Sequence, residues 1–370
     1  MNVICDRGAL LDLLNLVGGA IVTRTPKPVL TCVKVSAAEG NLTLSATDME
    51  VAIRVSTAKV EVKEPGDALI PADKFSQIVR ESIDPTLKLT VEEDAAHITT
   101  QDSKFKVFGY APGEFPPIPQ FNGEADFQVR AGDLHKLISQ TIFATARANT
   151  RYAINGVLLE REGNKLNVVA TDGHRMALAK GTCKTGKGEA EGRKHSAIVP
   201  SKALSLLLRL FNDPEQTVNV RIADNQIMFQ TDDSLLASNL VEGAFPPYKD
   251  VIPRDSDKKA TLGTDLLASA VRRAALLTNE ESRGVRLSFG KDKLTLSSRA
   301  PEMGEAEITC DIAKYEGEPI DIGFNPQLVL DALKIVDTDE VAWELKAPNK
   351  PAILRTGGEF LYVVMPVNLQ

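Results

Sequence analysis

Apolar residues return along this chain at two alternating periods, and the order of those periods repeats three times. Helical spacing comes first, as Leu10, Leu13, Leu14 and Val17, then Leu134, Leu137, Ile138 and Ile142, then Leu266, Leu267, Ala270 and Ala274. Period-two alternation follows, as where Val51, Ile53 and Val55 alternate with Ala52, Arg54 and Ser56. A proline then opens a second helix at its favoured first position, at Pro71, Pro200 and Pro326, which lie 129 and 126 residues apart. Further strands are expected at 87–91, 218–222 and 341–345.

The repeat is also written in the letters. Asn41-Leu-Thr-Leu-Ser-Ala-Thr-Asp48 returns as Lys165-Leu-Asn-Val-Val-Ala-Thr-Asp172 and as Lys293-Leu-Thr-Leu-Ser-Ser298. A period this long is a domain and not a solenoid turn. The expected fold class is α+β: three tandem copies of one domain, each made of two helix-plus-strands halves, with helices covering one sheet face. Tandem copies of this kind suggest an arc or a ring with all helices on one side. Proline-rich connectors at 111–119 and 242–248 are stiff and extended, which places the domains at 1–122, 127–251 and 259–370. A Gly/Lys/Glu-rich stretch at 181–194 reads as an exposed loop.

Composition narrows the class. The apolar and charged fractions are those of a soluble globular chain. No run of eighteen apolar residues and no signal-peptide layout is present, so no membrane partner is expected. Cys5, Cys32, Cys183 and Cys310 are scattered, which reads as reduced thiols in the cytoplasm. The four histidines form no metal-ligand spacing, and no metal or cofactor is expected. The net charge of −7 argues at first against nucleic acid. Six expected helices, 6–17, 72–82, 132–147, 201–211, 264–277 and 326–336, hold ten Lys/Arg against seven Asp/Glu. They are net +3, so the remainder carries −10. Charge is segregated by element type.

Enzymatic signatures are missing. There is no Gly-x-Gly-x-x-Gly, no Walker loop and no Gly-x-Ser-x-Gly elbow. Thr171-Asp172-Gly173-His174-Arg175 is the one cluster that resembles chemistry, and an enzyme using Asp172 and His174 is the reading it would support. Asp-Gly between apolar runs is first a hairpin signal. The basic pair stands where copy one is expected to have Met49-Glu50 and copy three Pro301-Glu302, so the scaffold does not demand it, and binding is its expected role. At the C-terminus, Met365-Pro366-Val367 is expected to correspond to the Phe-Pro-Pro connectors and to wall a groove beside copy two.

With these residues in view, the chain resembles the bacterial DNA polymerase III β subunits, the sliding clamps, from end to end. Ala170-Thr-Asp-Gly-His-Arg-Met176 and the closing Tyr362-Val-Val-Met-Pro366 carry the resemblance, and Phe245-Pro-Pro-Tyr248, Gly284-Val-Arg-Leu287 and Gly323-Phe-Asn325 add to it. It implies a non-catalytic processivity factor for DNA replication: a head-to-tail homodimer whose ring, helices inside and sheets outside, encircles duplex DNA without reading sequence. It implies the DNA polymerase III catalytic subunit, a clamp loader and other proteins bearing clamp-binding motifs as partners. The DNA-facing residues it implies are Arg24, beside Pro28, Arg80, Lys136, Arg147, Arg151, Tyr152, Lys202, Arg209 and Arg273. The peptide groove it implies uses Arg151, Ile154, Thr171, Gly173, His174, Arg175, Met176, Pro246, Val251, Asn325, Met365, Pro366 and Val367. The implied dimer seam joins Lys74 and Phe105 to Leu276, Leu277, Glu302, Glu305 and Glu307. Ala153 and Leu328 stand where tyrosines are common in the family, and the tail runs on through Asn368-Leu-Gln370. The alternative function is a peptide-binding adaptor that does not encircle DNA.

Overall fold

The computed structural model describes residues 1–146, 153–186, 194–211, 213–223, 225–278 and 284–368. Six α-helices occur among them: α1 (Arg7–Val17), α2 (Ala72–Glu81), α3 (Ala131–Ser139), α4 (Ser201–Leu210), α5 (Thr264–Ala275) and α6 (Pro326–Leu333). The α1 start is dictated by Asp6, whose carboxylate accepts a hydrogen bond from the Ala9 amide at 2.8 Å. Its four expected apolar positions are all buried. In α5 the buried stripe runs through Leu267, Ala270, Val271 and Ala274, while Leu266 lies off it and is 44% exposed.

Two boundaries differ from the sequence reading. Helix α3 ends at Ser139 and does not run to 147. The Thr141 hydroxyl bonds back to the Leu137 carbonyl at 2.9 Å, and a short 3-10 turn, Ile142–Ala144, carries the chain on in a different direction. Pro326 is the first residue of α6, with Asn325 capping it, but Pro71 is itself the N-cap of α2 and Pro200 precedes Ser201. The three prolines are therefore out of step by one, and Asn325 is the equivalent of Pro71 and Pro200.

The chain forms two compact units, and the division falls inside copy two. The first unit holds a five-stranded sheet from copy one, in spatial order Val60–Glu64, Asn2–Asp6, Thr86–Glu92, Ala95–Thr99 and Lys104–Phe108. It also holds a nine-stranded sheet. Five of those strands come from copy two, ending in Ser234–Asn239, and four from copy one, beginning with Val51–Thr57. These two strands pair antiparallel, with Val51 opposite Ser238. The second unit repeats the arrangement. Four strands of copy two, ending in Arg175–Thr182, meet five of copy three, beginning with Phe360–Val364, and Arg175 lies opposite Val364. A four-stranded sheet completes it, in the order Gly304–Asp311, Lys293–Ala300, Val285–Phe289 and Ile320–Phe324.

The proline-rich connectors are not free spacers. Phe115 is buried against Cys32 and Leu69, while Ile118 and Phe121 pack on Ala52, Met228, Leu235 and Ala237. This cover explains why Ala52, on the sheet face opposite Val51 and Ile53, is only 6% exposed. The second connector sends Tyr248 into a cluster with Met176, Leu361 and Val363.

Candidate functional site

The turn after the Lys165–Thr171 strand is built from its own side chains. The Thr171 hydroxyl donates to the Arg175 carbonyl at 2.6 Å and accepts from the Gly173 amide at 3.2 Å. Asp172 Oδ1 accepts from the His174 and Arg175 amides at 2.9 and 3.0 Å. Gly173 sits at φ +89°, a region where a Cβ is strained. These bonds consume the Asp172 carboxylate, and its second oxygen takes the Arg175 Nε–H at 3.0 Å. Asp172 is thus committed to the turn and to Arg175.

Arg175 is the hub of the region. Besides Asp172, it donates to Asp331 on α6 at 2.7 Å and to the Phe143 carbonyl at 2.9 Å. Its guanidinium lies 5.3 Å from the centre of the Phe143 ring, which in turn stacks on Tyr362 at 5.8 Å. The Phe143 carbonyl is available because α3 stops before it. Burial disfavours the Arg175 charge, but the two carboxylates and Tyr362 outweigh that cost and raise its pKa. The expected free basic pair is therefore half internal. His174 is exposed, whereas Arg175 fastens copy two to α6 of copy three within one unit.

The tail completes the site. The Met365 amide donates to the His174 carbonyl at 2.9 Å, and the Val367 amide to the Gly323 carbonyl at 2.8 Å. Equivalent bonds join Tyr110 to Leu69 and Val241 to Ile198. Residues 365–367 thus match 108–110 and 239–241, and not the Phe-Pro-Pro connectors as expected. Strand registers likewise move the counterparts of His174-Arg175 to Glu50-Val51 in copy one and, across a turn one residue longer, to Met303-Gly304 in copy three. Neither is basic.

The candidate groove residues thus fall into two groups. Ile154, Thr171 and Met176 are buried, and Asn325 caps α6 by accepting from the Gln327 amide. Gly173, His174, Val251 and Met365 are exposed, with Pro246, Pro366 and Val367 half-buried beside them. Arg151 lies outside the described residues. Sequence reasoning missed Phe143 and Asp331, where nothing local signals a role, and gave Tyr362 no part of its own in the site. It also missed Glu160, which accepts the Tyr248 hydroxyl at 2.7 Å.

The candidate DNA-facing cations are similarly divided. Arg24, Arg80, Arg209 and Arg273 are exposed. Lys136 pairs with Asp337 at 3.1 Å, and Lys202 pairs with Asp48. Burial pushes the Asp48 carboxyl up, but hydrogen bonds from Lys202 and from the Val51 and Glu50 amides outweigh it and leave its pKa below the ordinary value. Arg147, Arg151 and Tyr152 lie outside the described residues. Within the observed helix limits, eight Lys/Arg face six Asp/Glu, so the helical excess is +2 and smaller than expected.

Three of the candidate seam residues, Phe105, Glu305 and Glu307, lie on two open sheet edges. Lys104–Phe108 is the last strand of the five-stranded sheet and carries Phe105 and Phe108, 39% and 74% exposed. Gly304–Asp311 is the first strand of the four-stranded sheet and carries exposed Glu305 and Glu307. Glu302 and Met303 are exposed just before its start, Leu277 is half-buried beside Gly304, Leu276 is exposed after α5, and Lys74 is exposed on α2. Among the described residues, no group of three His, Cys, Asp or Glu could hold a metal ion, and no helix is long and apolar enough to cross a membrane.

Comparison with known proteins covers the chain from end to end. Sequence profiles of the DNA polymerase III beta subunit match in order: the N-terminal domain at residues 1–119, the central domain at 128–247 and the C-terminal domain at 249–368. The beta sliding clamp of Pseudomonas putida is 34% identical over 372 residues, and that of Escherichia coli K12 is 33% identical, each with 100% of both chains covered. Among solved structures, the DNA polymerase III subunit beta of Pseudomonas aeruginosa superposes with a TM-score of 0.92 at 32% identity, covering 100% of both chains. The DNA polymerase sliding clamp of Bacillus subtilis does so with 0.94 at 27%, again over 100% of both.

Proposed function

We propose, from the premise that this chain belongs to the DNA polymerase III β-subunit family and is a DNA sliding clamp, that two copies close head to tail into a ring around duplex DNA. The observation that carries this reading is the pair of open edges. Each closed nine-stranded sheet joins a five-strand half to a four-strand half from the neighbouring copy. One five-strand half and one four-strand half are left over, at opposite ends of the chain. A second copy supplies the missing half to each.

The two closed seams also predict how the third one pairs. Their registers make Val107, Ser238 and Val364 equivalent, and Val51, Arg175 and Gly304 equivalent. Carried over, Gly304 faces Val107 of the second copy, Glu305 faces Lys106, Ala306 faces Phe105 and Glu307 faces Lys104. Opposite charges meet directly across the strands, which favours this pairing over a like-charged one. Covering these edges also removes an exposed apolar strand edge that would otherwise promote aggregation. A heterologous contact grows filaments unless it closes, and closure at two chains is the family's arrangement as the resemblance implies it.

The exposed arginines Arg24, Arg80 and Arg209 supply a sequence-independent attraction for phosphate. Lys202 and Lys136 contribute less, since each already neutralises a carboxylate. A modest basic excess suits a device whose retention is topological, because sliding requires shallow wells. The groove around His174, Val251 and Met365 is read as the dock for short linear peptides of the polymerase catalytic subunit, the clamp loader and competing partners. The Pseudomonas aeruginosa clamp has been crystallised with griselimycin, which offers a defined probe for the groove. No catalytic role is assigned, and the cytoplasm is the compartment this reading implies.

The DNA side is tested with Arg24→Glu, Arg80→Glu and Arg209→Glu combined. The triple variant should bind a short duplex more weakly than the parent, and the salt dependence of log K should flatten by about 0.9 for each phosphate that is no longer neutralised. An unchanged slope would place these arginines away from DNA.

A further inference from the structure

We infer that Glu160 is a positioning residue for the peptide groove, acting as a hydrogen-bonded latch that holds the second connector in its binding shape. This rests on the groove reading above. Glu160 lies on the Gly156–Glu162 strand, well away in sequence from the connector it holds. Its Oε2 accepts the Tyr248 hydroxyl at 2.7 Å and lies 3.0 Å from Lys249 Nζ, and Asn167 approaches the same oxygen at 3.4 Å. Tyr248 and Lys249 open the short 3-10 turn Tyr248–Asp250, which sits between groove residues Pro246 and Val251. The turn has internal bonds from Tyr248 to Pro246 and from Val251 to Tyr248, so fixing Tyr248 fixes both neighbours.

The latch also reaches the groove floor. The Tyr248 ring shares its apolar cluster with Met176 and Val363, which lie two residues along the chain from His174 and Met365. Burial pushes the Tyr248 hydroxyl up, so it remains a donor, and the Glu160 carboxylate is held below its ordinary pKa by Tyr248, Lys249 and Asn167 despite its partial burial.

Comparison between copies separates this from a general scaffold need. In copy one the connector reads Phe115-Pro-Pro-Ile118 where copy two reads Phe245-Pro-Pro-Tyr248, and the strand position equivalent to Glu160 is Ser36. Copy one anchors its connector by apolar packing. Between these two copies, acid and phenol occur together only in the one that carries the groove, where a proline and a valine must be presented in fixed places. Preorganisation of this kind raises affinity by removing an ordering cost from the binding step.

The test uses the full chain and a fluorescein-labelled synthetic peptide containing glutamine, leucine and phenylalanine, with griselimycin as a second probe. Glu160→Ala should weaken peptide binding about tenfold, chiefly through faster dissociation. Tyr248→Phe, which keeps the ring packing, should weaken it comparably, and the double variant should be no worse than either single one. Glu160→Gln, which can still accept the Tyr248 hydroxyl, should restore most of the affinity. Parent-like binding by both Glu160→Ala and Tyr248→Phe, or additive losses in the double variant, would overturn the latch while leaving the groove intact. Failure of the parent chain to bind either probe would instead overturn the groove reading on which the latch depends.

Discussion

Lys104→Glu combined with Lys106→Glu is expected to turn the dimer into a monomer, and so is Glu305→Lys combined with Glu307→Lys. The two variants mixed should dimerise again. In a head-to-tail pair each chain contributes one Lys-bearing edge and one Glu-bearing edge, so each altered chain alone places like charges opposite each other at both seams. A mixed pair restores acid against base at one seam and reverses the pair at the other. With about 1 kcal/mol at stake in each of four cross-strand pairs, the dissociation constant should rise by roughly a thousandfold in either variant alone. Sedimentation velocity reads the result, and raised salt should weaken the parent dimer as it screens these exposed pairs. Monomers that fail to re-form on mixing would mean the register inferred from the two internal seams does not carry over to the third.

Arg175→Ala should have the largest effect on the folded chain itself. The side chain is 11% exposed and answers two carboxylates, a carbonyl and an aromatic face at once. Removing it leaves the partly buried Asp172 without its cation and Asp331 with only the looser Lys334 pair at 3.7 Å, a situation that costs about 3 kcal/mol. Thermal unfolding of the variant should begin several degrees lower than in the parent, and peptide affinity should fall because Asp172 and the His174 backbone lose their support. Arg175→Lys should rescue little, since one ammonium cannot reproduce the planar fork that reaches both carboxylates and lies over Phe143. A melting curve matching the parent would show that α6 is held by its apolar face alone.

What is legible in the sequence is periodicity. The threefold repeat, the helix faces of α1 and the α+β halves follow from spacing, because burial on one face imposes it. The Asp6 cap is readable for the same local reason. Long-range polar partners are not. Nothing near Asp331 or Phe143 announces Arg175, and the site exists because α3 stops at Ser139, a choice made by the Thr141 hydroxyl and tertiary packing and not by hydrophobic period. Treating 132–147 as one helix overstates the basic character of the helices, because it brings Arg147 into the sum. Exposed Lys202 reads as free because Asp48 is far away in sequence. The latch is different in kind: Tyr248 differs from Ile118 in otherwise matching connectors, and the letters alone display that difference.

Topological retention is the claim on which the rest depends. The protein is loaded onto nicked circular DNA by a clamp loader, the complex is isolated by gel filtration, and the circle is then cut once. The chain is expected to stay with intact circles through moderate salt and to leave promptly after cutting, because a closed ring can slide off an end. Equal retention on cut and uncut DNA, with a known clamp as control, would mean ordinary surface binding and would contradict the ring.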